Sequence, residues 1–171
     1  MSRPLVVLVG PMGSGKTSVG QALATRLRCE LRDTDADIVA EQGRPISDIF
    51  TTDGEPVFRA LERAAVARAL AEHPGVLSLG GGAVLAPETQ QALEGHAVVL
   101  LTVTAATGVR RTGLDSGARP MLAGVNPRAT YRALLAARMP VYRQVAGFEV
   151  ATDDLDIDGV ADVIIDKLGL A

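Results

Sequence analysis

The chain has no tryptophan, one cysteine and only two lysines, Lys16 and Lys167, in 171 residues. Aromatic residues make up 3% of it. A lone Cys29 rules out an intrachain disulfide, and ahead of a strand it reads as a small apolar residue. No long hydrophobic run exists: the longest, residues 5–9 and 97–103, are far too short to cross a membrane. The amino terminus lacks a signal-peptide shape, so a cytoplasmic protein is expected. Positive charge is not in excess either. A net charge of −3 argues against non-specific nucleic-acid binding, and a site for anionic ligands must gather its cations locally. What is present is ordinary for a globular protein: 47% hydrophobic and 22% charged residues, enough for one domain spanning 1–171 with a sizeable core.

The scarcity of lysine gives one of them weight. The other fifteen basic residues are arginines, so this composition uses arginine wherever a generic cation suffices. Lys16 stands in Gly10-Pro11-Met12-Gly13-Ser14-Gly15-Lys16-Thr17, the G-x-x-x-x-G-K-[ST] pattern of a P-loop. The apolar run 5–9 ahead of it reads as a strand buried on both faces. Val19, Leu23 and Leu27 behind it fall at helical spacing. Strand, glycine loop and helix form the context in which backbone N–H groups surround phosphate oxygens. Lys16 then reaches the β- and γ-phosphates, and the Thr17 hydroxyl ligates Mg²⁺. A plain glycine-rich turn is the alternative reading.

Further along, helices and strands alternate. A strand at 30–32 leads into Asp33-Thr34-Asp35, and a helix is expected over 36–42. Residues 47–50 form a short turn that Ser47 can cap. The longest helix is expected over 55–72, with Val57, Leu61, Ala65 and Ala69 on its apolar stripe and Arg59, Glu62, Arg63 and Arg68 mostly elsewhere. Strand 76–79 runs into Gly80, Gly81 and Gly82, a triplet best explained by a ligand's close approach to the backbone. A helix at 87–93, a strand at 97–103 and a helix at 105–112 follow. Residues 113–120 read as a mobile loop with glycines at both ends. Asn126 caps a helix that Pro140 is expected to stop after Met139. A strand at 148–150 and a helix at 157–168 close the chain. The alternation predicts an α/β protein with a parallel sheet covered on both faces.

Neither later strand, 76–79 or 97–103, ends in aspartate, and an N/T-K-x-D signal is absent, which argues against a GTPase switch. Asp33 and Asp35 are the acidic pair at a strand's carboxyl end. One can hold Mg²⁺ through its water shell and the other can take a proton from an attacking hydroxyl. Their alternative is a helix N-cap. Arg59, Arg119 and Arg138 each read individually as solvated surface residues. Arginine in the glycine-flanked loop can instead close over a triphosphate, and two arginines near the glycine triplet can hold an anionic acceptor.

Together these segments resemble the shikimate kinase family over about residues 4–150. The motifs that carry the resemblance are the P-loop at 10–17, Asp33-Thr34-Asp35, Phe58-Arg59, Leu79-Gly80-Gly81-Gly82-Ala83, Arg119-Pro120-Met121-Leu122 and Arg138-Met139-Pro140-Val141-Tyr142. The resemblance implies a three-layer P-loop kinase fold, with a five-stranded parallel sheet, helices on both faces, an acceptor-binding region at about 34–62 and a lid at about 113–124. It implies transfer of the γ-phosphoryl of ATP to the 3-hydroxyl of shikimate. Gly13, Ser14, Gly15, Lys16, Thr17 and Ser18 would wrap the ATP phosphates. Thr17 would ligate Mg²⁺ with Asp33 in its water shell, and Asp35 would bind acceptor hydroxyls and serve as base. Arg59 and Arg138 would hold the carboxylate, Gly80, Gly81 and Gly82 would line the ring, Arg119 would be the lid arginine and Arg111 would lie against adenine. The chain departs from the family at 151–158, where Ala151-Thr152-Asp153-Asp154-Leu155-Asp156-Ile157-Asp158 lacks the arginine and proline often found beside the base. ATP, Mg²⁺ and shikimate are the expected ligands, with a monomer and neither nucleic acid nor membrane as partner. A kinase of another hydroxylated metabolite such as gluconate, and a non-enzymatic nucleotide-binding module, are the rival readings.

Overall fold

The computed structural model describes residues 3–112 and 126–170. The expected lid, with Arg119 and Pro120, therefore lies outside the described residues.

Five strands form one parallel sheet: β1 (Val6–Val9), β2 (Leu31–Asp33), β3 (Val76–Ser78), β4 (Val98–Thr102) and β5 (Phe148–Ala151). Their spatial order is β2-β3-β1-β4-β5. β1 lies at the centre, with Leu8 opposite Ser78 on one side and Val99 on the other. All four of its residues are buried, as a near-continuous apolar run demands of a strand covered on both faces. Its side chains alternate between two cores. Val6 and Leu8 meet α1 (Lys16–Leu27) and α8 (Ile157–Leu168), while Val7 and Val9 meet α4 (Glu55–Glu72) and α7 (Pro127–Val145). A third cluster, Ile38, Ile49, Phe58 and Ala65, joins α2 (Thr34–Gln42) and α3 (Ile46–Asp53) to α4. The remaining helices are α5 (Pro87–Ala92) and α6 (Ala105–Thr112), with a 3₁₀ turn at Ala83–Leu85. Cys29 is partly buried against the α1–α8 core.

Three local expectations need correction. Residues 46–53 form a two-turn helix rather than a short turn, and its N-cap is Pro45 rather than Ser47. The buried stripe of α4 runs through Phe58, Glu62, Ala65, Val66, Ala69 and Leu70, so Glu62 faces inward while Val57 is 42% exposed. Pro140 does not stop α7, which continues to Val145. A proline inside a helix removes one hydrogen bond and costs about 3 kcal/mol. Here Pro140 points to solvent, while Arg138 and Tyr142 on either side of it are buried and Met139 and Val141 pack on the core. Tertiary burial on both sides holds the helix through the proline.

Candidate active site

β1, β2 and β3 all end at one edge of the sheet, and the candidate residues gather beyond it. β1 and β4 are neighbours whose following connections leave in opposite directions, the place where open α/β sheets bind ligands. Glycines make the loop after β1 possible. Gly13 has φ +82° and Gly15 has φ +97°, both in the left-handed region. Gly15 is the N-cap of α1 and supplies no capping side chain, and the first turn of α1 carries no acidic residue. The free N–H groups and the positive end of the helix dipole are thus left for an anion. Lys16 Nζ donates to the carbonyls of Gly10 (2.7 Å) and Pro11 (3.0 Å), which holds the ammonium over the loop. The Ser14 hydroxyl is wholly buried and has no hydrogen-bond partner among the described residues. Thr17 and Ser18 are exposed on the first turn of α1.

A cavity of about 420 Å³ opens beside this loop, lined by Gly15, Ser18, Arg111, Thr152, Leu155 and Ile157, among others. Arg111 reaches it from α6. Its guanidinium donates to the Thr152 carbonyl (2.9 Å), the Thr152 hydroxyl (3.0 Å) and the Gly13 carbonyl (3.2 Å). Leu155 and Ile157 are 41% and 47% exposed at the cavity's rim. Of the acidic segment, Asp156 also lines the cavity. Asp153 accepts from the backbone N–H and hydroxyl of Thr104, and Asp156 caps α8 by accepting from Gly159 N–H at 2.7 Å.

Asp33 ends β2 and also caps α2: its Oδ1 accepts the N–H groups of Asp35 (2.8 Å) and Ala36 (3.4 Å). Its other oxygen is left for a further donor. Among the described residues no group of three or more acidic, histidine or cysteine side chains forms a metal cage. A hydroxyl at Thr17 and one carboxylate oxygen at Asp33 suit Mg²⁺, which keeps most of its shell as waters and phosphate oxygens.

Asp35 sits in the first turn of α2, with Oδ1 buried and unpartnered among the described residues. Burial, with the charges of Asp33 and Glu62, pushes its carboxyl up to about 6, while Lys16 and Arg59 hold it back. Its oxygen also explains Gly80: a Cβ there would lie 2.6 Å from Oδ1. A Cβ at Gly82 would lie 2.6 Å from Arg59 Nη1. The turn at Gly80 and Gly82 thus lies against the protein's own side chains, Asp35 at one and the flexible end of Arg59 at the other. Only at Gly81 does a Cβ find nothing closer than 3.7 Å, and the nearest atoms there include Arg138 Nη1.

Arg59 and Arg138 thus converge on the glycine turn from α4 and α7. Neither is a solvated surface residue, because Arg138 is 6% exposed and Arg59 is half-buried. Arg59 lies over the Phe58 ring and pairs with Glu55 (3.2 Å) and Glu62 (2.8 Å). Glu62, at 3% exposure, was missed from the sequence. Burial pushes its carboxyl up, against the opposing pull of Arg59 and Arg138. The arrangement offers two guanidiniums for a carboxylate, a basic carboxylate for a hydroxyl and a phosphate cradle alongside.

Comparison with known proteins agrees. A family model described as shikimate kinase matches residues 12–169. A protein named shikimate kinase from Saccharopolyspora erythraea is 59% identical over 165 residues, covering 96% of this chain and 94% of its own. The structure of a shikimate kinase from Acinetobacter baumannii in complex with shikimate superposes with a TM-score of 0.88 at 34% identity, covering 99% of this chain and 93% of that one. A gluconokinase from Sinorhizobium meliloti shares the fold alone, with a TM-score of 0.54 at 17% identity, covering 96% of this chain and 90% of its own. The chain belongs to the shikimate kinase family.

Proposed function

We propose that the residues gathered at the carboxyl edge of the sheet carry the family's reaction in the following roles. The reaction itself transfers the γ-phosphoryl group of ATP to the 3-hydroxyl of shikimate, giving shikimate 3-phosphate and ADP. The observation that carries the assignment is the buried Oδ1 of Asp35, unpartnered among the described residues, beside a turn flanked by two arginines.

Arg59 and Arg138 bind the acceptor carboxylate bidentately, which turns the ring so that its hydroxyls meet Asp35. Gly80, Gly81 and Gly82 present backbone to that ring. Asp35 accepts the proton of the 3-hydroxyl as its oxygen bonds to the γ-phosphorus and the bond to the β-phosphate oxygen breaks. Burial and acidic neighbours make Asp35 a better base than an ordinary aspartate. Backbone N–H groups over 13–18, Ser14 among them, with the side chains of Lys16, Thr17 and Ser18, hold the phosphates, and Lys16 offsets charge on the leaving group. Thr17 and Asp33 would hold Mg²⁺, which neutralises phosphate charge when bound. Arg111 forms one wall of the base pocket. Arg119, in the segment 113–124 assigned as a lid, adds charge over the triphosphate. One domain over 1–171, a monomer and a cytoplasmic location complete the reading; no helix among the described residues is long and apolar enough to cross a membrane.

The test is ADP release measured with shikimate present and absent, and with gluconate as the competing acceptor. Shikimate-dependent release that vanishes in a folded Lys16→Ala variant is expected. Release that ignores shikimate, or persists in Lys16→Ala, removes the assignment.

A further inference from the structure

Helix α7 carries more of the site than Arg138. Tyr131, Arg138 and Tyr142 stand seven and four residues apart, on one face of the helix, with Tyr131 and Tyr142 separated by about 16 Å along it. Both tyrosines are buried, at 2% and 0% exposure. Their hydroxyls serve the two loops of the site. Tyr131 Oη donates to the Met12 carbonyl in the P-loop at 2.6 Å, and Tyr142 Oη donates to the Gly81 carbonyl in the acceptor turn. Burial raises both phenols, Tyr131 to about 12, so both remain donors at neutral pH. Fit around them is close. A cavity of only about 10 Å³ remains among Pro11, Met12, Tyr131, Leu134, Arg138 and Tyr142, at the lower limit for a single water. Any Cβ at Gly108 of α6 would collide with the Tyr131 hydroxyl.

These bonds end on carbonyls whose peptides continue into glycines. A trans peptide is planar, with C=O and the next N–H on opposite sides, and no cis bond occurs in the described chain. Drawing the Met12 carbonyl toward α7 therefore turns the Gly13 N–H away from α7. Drawing the Gly81 carbonyl toward α7 does the same to the Gly82 N–H. Glycine has no Cβ to restrict rotation, so each peptide needs such an external constraint.

We propose that Tyr131 and Tyr142 are positioning residues, which set the Gly13 and Gly82 peptides so that one N–H faces the nucleotide phosphates and the other faces the acceptor. Neither tyrosine touches a substrate. The proposal rests on the site assignment above and extends it to α7 as the one element that orients both halves.

Its test is the pair Tyr131→Phe and Tyr142→Phe, each keeping the ring and losing the donor; because the Tyr142 hydroxyl also bonds Arg138, the ¹⁵N response of Gly82 decides for that variant. Wild-type turnover with shikimate is measured first, since its absence defeats the site assignment rather than this proposal. Tyr131→Phe is expected to raise KM for ATP about threefold to tenfold, the scale of one hydrogen bond, with KM for shikimate little changed. Tyr142→Phe is expected to do the reverse. In ¹⁵N spectra, the response of the Gly13 amide to ADP should shrink only in Tyr131→Phe, and that of the Gly82 amide to shikimate only in Tyr142→Phe. Folded variants with unchanged KM values, or both KM values rising alike in both, overturn the proposal. If a phenylalanine variant does not fold, 3,5-difluorotyrosine at that position supplies a stronger donor on a similar ring. It is then expected to lower the same KM, and an unmoved KM overturns the proposal.

Discussion

Asp33 Oδ1 accepts the backbone N–H of Asp35 at 2.8 Å, so one aspartate fixes the main chain that carries the other. The bond separates their duties: Asp33 spends an oxygen on the backbone, and Asp35 keeps a buried one that is unpartnered among the described residues. Because Asp35 is raised to about 6 from an ordinary value near 3.8, kcat/KM for shikimate should rise with pH and level off above an apparent pKa near 6. Stability should run the other way. The folded state binds this proton more tightly than the unfolded chain, so stability falls as pH climbs from about 4 to 6. The full penalty above pH 6 is about 3 kcal/mol. Asp35→Asn should therefore abolish most turnover yet raise Tm at pH 8, with little change in Tm at pH 4. A variant less stable than wild type at pH 8 would contradict the assigned burial penalty.

Asp33→Asn keeps a good N-cap, so α2 should form normally. With the carboxylate gone, more Mg²⁺ should be needed for half-maximal rate. The apparent pKa of the pH profile should also move down, because the Asp33 charge helps to raise Asp35. A Mg²⁺ titration and a pH profile on the same variant check both shifts, and a profile unmoved in pH would show that the two carboxylates do not interact.

Arg138→Lys loses the bidentate fork and should raise KM for shikimate by the equivalent of about 1–3 kcal/mol. A shikimate analogue with an amide in place of the carboxylate has already lost that contact, so the substitution should cost less with it. Equal losses on both acceptors would place Arg138 outside carboxylate binding.

Glu62→Ala strips the buried partner from Arg59 and should destabilise the fold by about 3 kcal/mol. In a domain of this size that is a fall in Tm of roughly 6–12 °C, readable by a thermal melt. KM for shikimate should rise in the same variant, because Arg59 is then held only by the exposed Glu55.

Base recognition should be shallow. Around the nucleotide-side cavity Arg111 is engaged with Thr152 and Gly13 and Asp156 with the α8 cap, while Ser14 and Ser18 belong to the phosphate loop. Leu155 and Ile157 offer apolar contact without hydrogen-bonding groups. Discrimination between ATP and GTP within roughly tenfold in kcat/KM, or about 1.4 kcal/mol, is expected, and a preference of several hundredfold would show recognition by main-chain groups.

Features encoded within a few neighbouring residues were legible in the sequence. The strand, loop and helix around Lys16 announce themselves through a local motif, and Asp33 and Asp35 stand out as acids at a strand end. Glu62 was not legible, because its inward position depends on Arg59 beside it and on Gly80 from another element. Helical periodicity placed it with the polar residues. Pro140 misled for the opposite reason, since a sound local rule was overridden by the burial of residues around it. Tyr131 gave no signal, and Tyr142 stood only at the end of the Arg138 motif with no role, because their partners are main-chain carbonyls 119 and 61 positions away in sequence.

The packing of α1 on α8 bears on how the molecule is made. Val19 and Leu23 share a core with Val160, Ala161 and Ile164, and Arg26 pairs with Asp162 at 2.6 Å across the contact. During synthesis α1 leaves the ribosome well before α8, the helix that covers it, because the two are separated by β2 to β5 and the helices between them. Until then one face of β1 and α1 stays open to solvent, so the nascent chain carries its nucleotide loop without the support that steadies it. The apolar face that α1 and β1 turn to α8 is thus exposed in the half-made chain, the kind of surface that chaperones shield.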